Sequence, residues 1–171
     1  MEAYRHANGR VRLMESTAGE DLTDWTPVDL PSDYDAETHV FDAATDSFVP
    51  DLTALDAMLH ERIDREAGKF RLNFITDVPG QQAVYLAKEE EARNWTIASL
   101  PGSAPYLEAE AAARGITVAA MAAMILAISA DWKALSVAIE ARRIGAKEAV
   151  TAAQTVEEKR LAADVDWAGL I

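Results

Sequence analysis

One stripe of apolar residues in the C-terminal half constrains this chain more than any other feature. Its members are separated by three or four residues, and they are Val118, Met121, Ile125, Ile128, Trp132, Leu135 and Ile139. This spacing places them along one side of a single long helix, and an apolar stripe in water needs a surface to cover it. The chain is therefore expected to fold, or to assemble, as a helical packing module.

The residues alone leave two interpretations of this stripe open. It forms the core of a helical bundle within one chain, or identical chains share it as a coiled coil or a trimeric bundle. Alanines fill the other side of the same segment: Ala119, Ala120, Ala122, Ala123, Ala127 and Ala130. This side and the sparse flanking charge indicate burial on both sides of the helix. A charge placed at Ile128 or Trp132 is then expected to disrupt the helical part.

Residues 1–50 predict a small β-rich docking unit. Asn8-Gly9 lies between two short alternating segments, which is the strongest local signal for a hairpin. A second strand pair is predicted at 38–41 and 47–49. The stretch 24–31 between the pairs is expected to be extended, because residues that precede proline avoid the helical region.

Residues 51–171 predict a helical bundle domain. Helices are expected at 51–76 with Asp51 as N-cap, from Pro79 to about 96, at 104–114 closed by Gly115, from Thr117 to about 143, and at 153–164. A loop is expected at 100–105. A break or a weak point is expected at Ile144-Gly145, with an extension of the helix over 147–151 as the alternative, and the apolar end of the chain is expected to pack back. The predicted fold class is α+β, mostly α, with a small N-terminal β unit followed by an antiparallel helical bundle.

The charge of the chain argues against nucleic acid as a partner. Acidic residues outnumber basic ones by 29 to 16, which gives a net charge of −13, whereas phosphate binding needs a basic surface. The longest apolar run, from Ile116 to Ala130, holds no charge but is shorter than the roughly 20 residues of a membrane span, so no membrane insertion is expected. The absence of cysteine excludes disulfides and thiolate metal sites.

No constellation in the sequence indicates an enzyme. His6, His39 and His60 are scattered and form no metal-ligand spacing. The carboxylate runs 89–91 and 157–158 have basic neighbours such as Lys159, which is typical of solvated helix faces. The sequence therefore predicts no catalytic residue, cofactor or metal, and the candidate functional residues are those of the apolar stripe.

Much of the chain resembles small tail proteins of tailed bacteriophages. The similar segments are 63–68, 70–71, 74–76, 79–81 and 85–92, then the long alanine-rich helix with its tryptophan, 139–142, 152–158 and Trp167. A short β-rich start in such proteins resembles 38–42 and 47–50. The resemblance covers roughly residues 38–167 and assigns no chemical role to a single residue.

The resemblance implies a non-enzymatic structural protein of the phage tail, associated with the tail fibre or the baseplate. Made in the host cytoplasm, it would reside in the virion tail, with other phage tail proteins and copies of itself as partners. The alternative implied by the same resemblance is a tail fibre assembly chaperone that is absent from the mature virion.

Overall fold

The computed structural model of the chain describes residues 1–97 and 103–171 and confirms the predicted fold class. Five short strands near the N-terminus are followed by helices that pack against each other. Two compact units are present: 1–62 with 147–164, and 63–146 with 165–171. The predicted division into domains at residue 50 stays a prediction, because contact between residues does not show which parts fold independently.

The strands form two small antiparallel sheets. Strands β1 (Glu2–His6), β2 (Val11–Met14) and β3 (Trp25–Val28) pair in the order β2-β1-β3, and β4 (His39–Asp42) pairs with β5 (Ser47–Pro50). Both predicted strand pairs are confirmed, and Gly9 has the positive φ of 87° that the first turn requires. The extended stretch around Pro27 proves to be an edge strand, where proline costs no sheet hydrogen bond.

Helix α1 (Leu52–Arg71) begins where the sequence predicts and ends about one turn earlier. The Asp51 carboxylate accepts hydrogen bonds from the backbone N–H groups of Thr53 and Ala54, each at 3.0 Å, which confirms the N-cap. Phe74 continues the apolar spacing of the helix without belonging to it. Phe74 lies in the turn after the helix, and its ring packs edge-on with that of Phe70 at a centroid distance of 5.2 Å. The apolar spacing that predicted a longer helix therefore reflects this contact.

Helices α2 (Gln81–Ile97) and α3 (Pro105–Arg114) follow. Pro79 does not lie in the first turn of α2 as predicted, because Gly80 has a φ of +83° and a left-handed residue cannot continue a right-handed helix. Gly115 ends α3 in the left-handed conformation, which confirms the predicted C-cap. The first half of the loop predicted at 100–105 lies outside the described residues, and its last residue, Pro105, begins α3.

Helix α4 (Val118–Ala152) continues through Ile144-Gly145, so no break occurs there and the alternative, an extension over 147–151, is the one observed. A glycine within a helix costs only about 1 kcal/mol relative to alanine, and the turns beyond it are anchored by Val150, which is completely buried. The Thr117 hydroxyl accepts a hydrogen bond from the Ala120 N–H and caps the start of α4, as predicted. Helix α5 (Val156–Ala162) is shorter than expected and begins with a capping box formed by Thr155 and Glu158.

Lys159 corrects the prediction of a solvated face at 157–160. It is 2% exposed, and its ammonium donates to the Val150 carbonyl at 2.8 Å and lies 2.6 Å from an oxygen of Asp56. A buried ammonium is tolerated only when such partners replace water. This pair joins α1, the end of α4 and α5 within the first compact unit.

We predict that Asp51→Ala destabilises the chain by about 1 kcal/mol, because two N–H groups at the start of α1 lose their acceptor. Equilibrium urea unfolding followed by circular dichroism measures this loss. Asp51→Asn is the matched control and should retain most of the stability. An Ala variant as stable as the original chain would contradict the capping role.

Candidate interaction surface

The N-terminal half of the apolar stripe lies against helices α2 and α3 in the second compact unit. Met121 belongs to a buried cluster, and Val118 and Ile125 pack against it. The other buried members of the cluster come from three helices and the turn before α3: Ala92, Ala104, Leu107, Ala111 and Ala122. Four of these five are alanines, so small side chains let the helices approach closely. This part of the stripe is a core surface within one chain.

The rest of the stripe is divided between buried and exposed positions. Ile139 is completely buried, whereas Trp132 and Leu135 are half-buried. Ile128 is 64% exposed, so of the two interpretations of the stripe, the core within one chain does not apply at this position. The described neighbours of α4 leave Ile128 in solvent.

Polar contacts fix α3 on α2. The Glu91 carboxylate accepts a hydrogen bond from the Leu107 N–H at 3.0 Å, one of the N–H groups at the start of α3 that has no partner within the helix. The Lys88 ammonium lies 2.5 Å from the Glu110 carboxylate, and Arg114 contacts the same carboxylate at 2.7 Å. Lys88 and then Arg114 lower the pKa of Glu110, so this carboxylate is held ionised between two cations.

Glu89 ties α2 to α4. Its half-buried carboxylate pairs with Lys133 and accepts a hydrogen bond from the Ser129 hydroxyl, and Arg93 pairs with it from the next turn of α2. These contacts lower the pKa of the Glu89 carboxyl from 4.5 to about 2, and the hydrogen bonds from Lys133 and Ser129 contribute most. The run 89–91 therefore does not form the solvated face that its sequence predicts. Two of its carboxylates bind neighbouring helices.

A second ionic group ties α1 to α4. The Arg143 guanidinium donates to the Glu140 carboxylate at 2.6 Å and to Asp64 at 2.5 Å, and Arg71 reaches Glu140 at 2.7 Å. The end of the chain packs back as predicted, since Trp167 donates to Glu66 at 3.4 Å and its ring lies 6.3 Å from that of Phe70. Charge and packing thus hold one side of α4 in place.

The opposite side of α4 carries the alanines, and the residues that the structure describes do not cover it. Of the six alanines expected to be buried there, only Ala122 is buried, and it lies in the core cluster. Larger apolar side chains are exposed on the same helix, among them Met124 at 41% and Val137 at 69%. We call the exposed stripe the alanine stripe, and it consists of Ala119, Ala123, Ala127, Ala130, Ala134, Val137 and Ala141.

A second group of exposed apolar side chains lies between the end of α1 and the first turns of α2. Its members are Leu72, Phe74, Ile75, Val78, Tyr85 and Leu86, each exposed by 38% or more. Single exposed apolar residues are normal, whereas six within fifteen positions of the sequence are an unusual concentration.

Helix α4 is long and apolar enough to cross a membrane by length and composition, and 11% of its most apolar stretch is buried. Core helices of soluble proteins meet the same criteria but are mostly buried, so the expected lack of membrane insertion stays a prediction. Among residues 1–97 and 103–171, no three His, Asp or Glu side chains are grouped to hold a metal ion. His39 is buried and its Nδ1 accepts from the Asp35 N–H, while His60 contacts the Lys147 carbonyl.

No protein-family model matches this chain, and no curated protein or solved structure matches it.

We predict that Ile139→Asp and Ile128→Asp differ sharply in stability. Ile139→Asp puts a carboxylate at a completely buried position and should cost roughly 3–5 kcal/mol of unfolding free energy. Ile128→Asp changes an exposed position and should cost less than about 1 kcal/mol in dilute solution. Thermal melting by circular dichroism measures both. Equal losses would show that Ile128 is covered.

We predict that the Glu89 contacts make stability depend on pH in the acid range. Because folding lowers this pKa from 4.5 to about 2, the contribution is complete above about 4.5 and is lost as the pH falls toward 2. Glu89→Gln should therefore lower the urea midpoint at neutral pH, and its difference from the original chain should shrink on acidification. Glu90→Gln, on an exposed neighbour, is the control. A pH-independent difference would contradict the ionised contact.

Proposed function

We propose that this chain is a non-enzymatic structural protein of a bacteriophage tail, associated with the tail fibre or baseplate. It acts by packing its helices against other tail proteins and docking on them. The observation that carries this proposal is the uncovered apolar side of α4. A helix whose ionic and packing contacts all lie on one side presents its other side to a partner.

The charged groups of the second compact unit support a structural role. Carboxylates with lowered pKa values, such as Glu89 and Glu110, are each held by cations from other turns or other helices. A carboxyl that acts as a general acid or base near neutral pH needs a raised pKa instead. The strongest electrostatic interactions of α2, α3 and α4 are thus used to position helices.

The phage tail as the setting comes from the resemblance of residues 38–167 to small tail proteins. Within that setting the virion tail is the proposed location, and other tail proteins are the proposed partners. The acidic surface, with a net charge of −13, is compatible with protein partners and unfavourable for binding nucleic acid.

A tail fibre assembly chaperone is the second candidate, and the exposed group between Leu72 and Leu86 favours it. Six large apolar side chains on a turn-rich segment form a surface that can hold an apolar segment of an unassembled fibre chain. Such a protein leaves when the fibre assembles, so it is absent from the finished particle.

We predict that mass spectrometry of purified particles from the phage encoding this chain finds it in fixed proportion to the tail proteins. A stop codon early in its gene should give particles that lack fibres or a complete baseplate in electron micrographs. Complementation with the original gene is the control. If the chain is found in the lysate but not in the particles, and disruption of its gene removes the fibres, the chaperone role would replace the structural role. Normal particles without the chain would contradict both.

A further inference from the structure

A buried histidine closes the turn before strand β4. His39 is 6% exposed, and its Nδ1 accepts a hydrogen bond from the Asp35 N–H at 3.2 Å. In the other direction, the His39 N–H donates to the Asp35 carbonyl at 2.9 Å. Two hydrogen bonds thus join the same pair of residues, and the closed turn depends on the imidazole ring as well as on the backbone.

The contact with a backbone N–H selects one protonation state of the His39 ring, because such a group can only donate. The neutral ring with its proton on Nε2 has a lone pair on Nδ1 and accepts the bond. The imidazolium carries a proton on both nitrogens and accepts nothing, so protonation sets two N–H groups against each other in a buried turn. The Thr38 hydroxyl lies 3.4 Å from the same nitrogen, which is too long for a strong replacement bond.

The surroundings of the ring provide no other acceptor for a proton on Nδ1. The Tyr34 ring packs on it at a centroid distance of 5.5 Å, and β5, the partner of β4, contains no charged residue. The charged side chains on the adjoining segments are all carboxylates, namely Asp33, Asp35, Glu37, Asp42 and Asp51. Three of them accept hydrogen bonds from backbone N–H groups, and the other two, Asp33 and Glu37, are exposed to water. Their attraction for an imidazolium is screened and does not restore the lost bond.

The same turn is connected to the start of helix α1. The carbonyl of Thr38, a residue that is 3% exposed, accepts a hydrogen bond from the Asp51 N–H at 2.7 Å. Asp51 is the N-cap of α1, and His39 lies opposite Pro50 in the register of β4 with β5. Opening of the turn therefore loosens one end of the β4-β5 pair together with the first turn of α1.

We propose that residues 35–39 form an acid-sensitive lock, which the neutral His39 ring closes and which opens when that ring takes up a proton. Because the open turn binds the proton more readily than the closed turn, acid shifts the equilibrium toward the open form. Histidine is the side chain that ordinarily titrates between about pH 5 and 8, whereas carboxylates titrate below this range. The lock concerns the N-terminal β unit and does not depend on the proposed tail function.

The two other histidines of the chain provide comparisons. His6 also accepts from a backbone N–H, that of Asn8 at 3.1 Å, but it is only half-buried, so water can replace a lost acceptor. His60 contacts the Lys147 carbonyl at 3.1 Å. Since a carbonyl only accepts, the His60 ring donates there and keeps this bond when it is protonated. Mild acid is therefore expected to open the turn at His39 and to leave α1 at His60 closed.

Hydrogen exchange measured by nuclear magnetic resonance tests the lock on the unmodified full chain. The protection of the Asp35 N–H, corrected for the intrinsic effect of pH on exchange, should fall about tenfold between about pH 7 and pH 5. The N–H of Ile63, a completely buried residue of α1, should keep its protection over the same range. Constant protection at Asp35, or an equal fall at Ile63, would overturn the proposal.

His39→Asn provides a second readout, because an amide oxygen can accept from the Asp35 N–H and does not titrate. In this variant the protection of the Asp35 N–H should no longer fall on acidification. His6→Asn, the same change at the half-buried histidine, is the matched control and should retain the fall seen in the original chain. A His39→Asn variant with the pH dependence of the original chain would overturn the proposal.

Discussion

Close approach of three helices around small side chains is the constraint on which the second compact unit depends. Ala92, Ala111 and Ala122 let α2 and α3 lie near the first turns of α4, where Leu107 and Met121 fill the remaining space. A cluster built mostly from alanine buries little apolar surface, so its contribution to stability is small for three helices. The position of α4 must therefore depend on further contacts, and the ionic groups supply them.

Two ionic groups act where the apolar cluster ends. Glu89 holds Lys133 and Ser129 of α4, and farther along the helix Arg143 joins Glu140 and Asp64. Both groups lie on the side of α4 that faces its neighbours. Their common location leaves exposed apolar residues on the other side of the helix. The acidic composition is thus partly structural, since several carboxylates orient helices.

Sequence periodicity predicted the elements well and their ends less well. The hairpin at Asn8-Gly9, the N-caps at Asp51 and Thr117 and the C-cap at Gly115 depend on local backbone geometry, so local residues specify them. Two errors concerned whether a helix ends at a given residue. Phe74 keeps helical spacing but packs on Phe70 from a turn, and Gly145 remains helical because the turns beyond it are anchored.

The sequence by itself determined the fold class, most strand and helix positions and the presence of a strongly apolar long helix, because these follow from local conformational preference and periodicity. Only the tertiary structure decided which side of that helix is covered. Periodicity places Ile128 and Ile139 on one stripe, yet Ile139 is buried and Ile128 is exposed. Burial depends on where α2, α3 and the C-terminal segment end against α4, and those end points are set by long-range contacts such as Glu89 with Lys133 and Trp167 with Glu66.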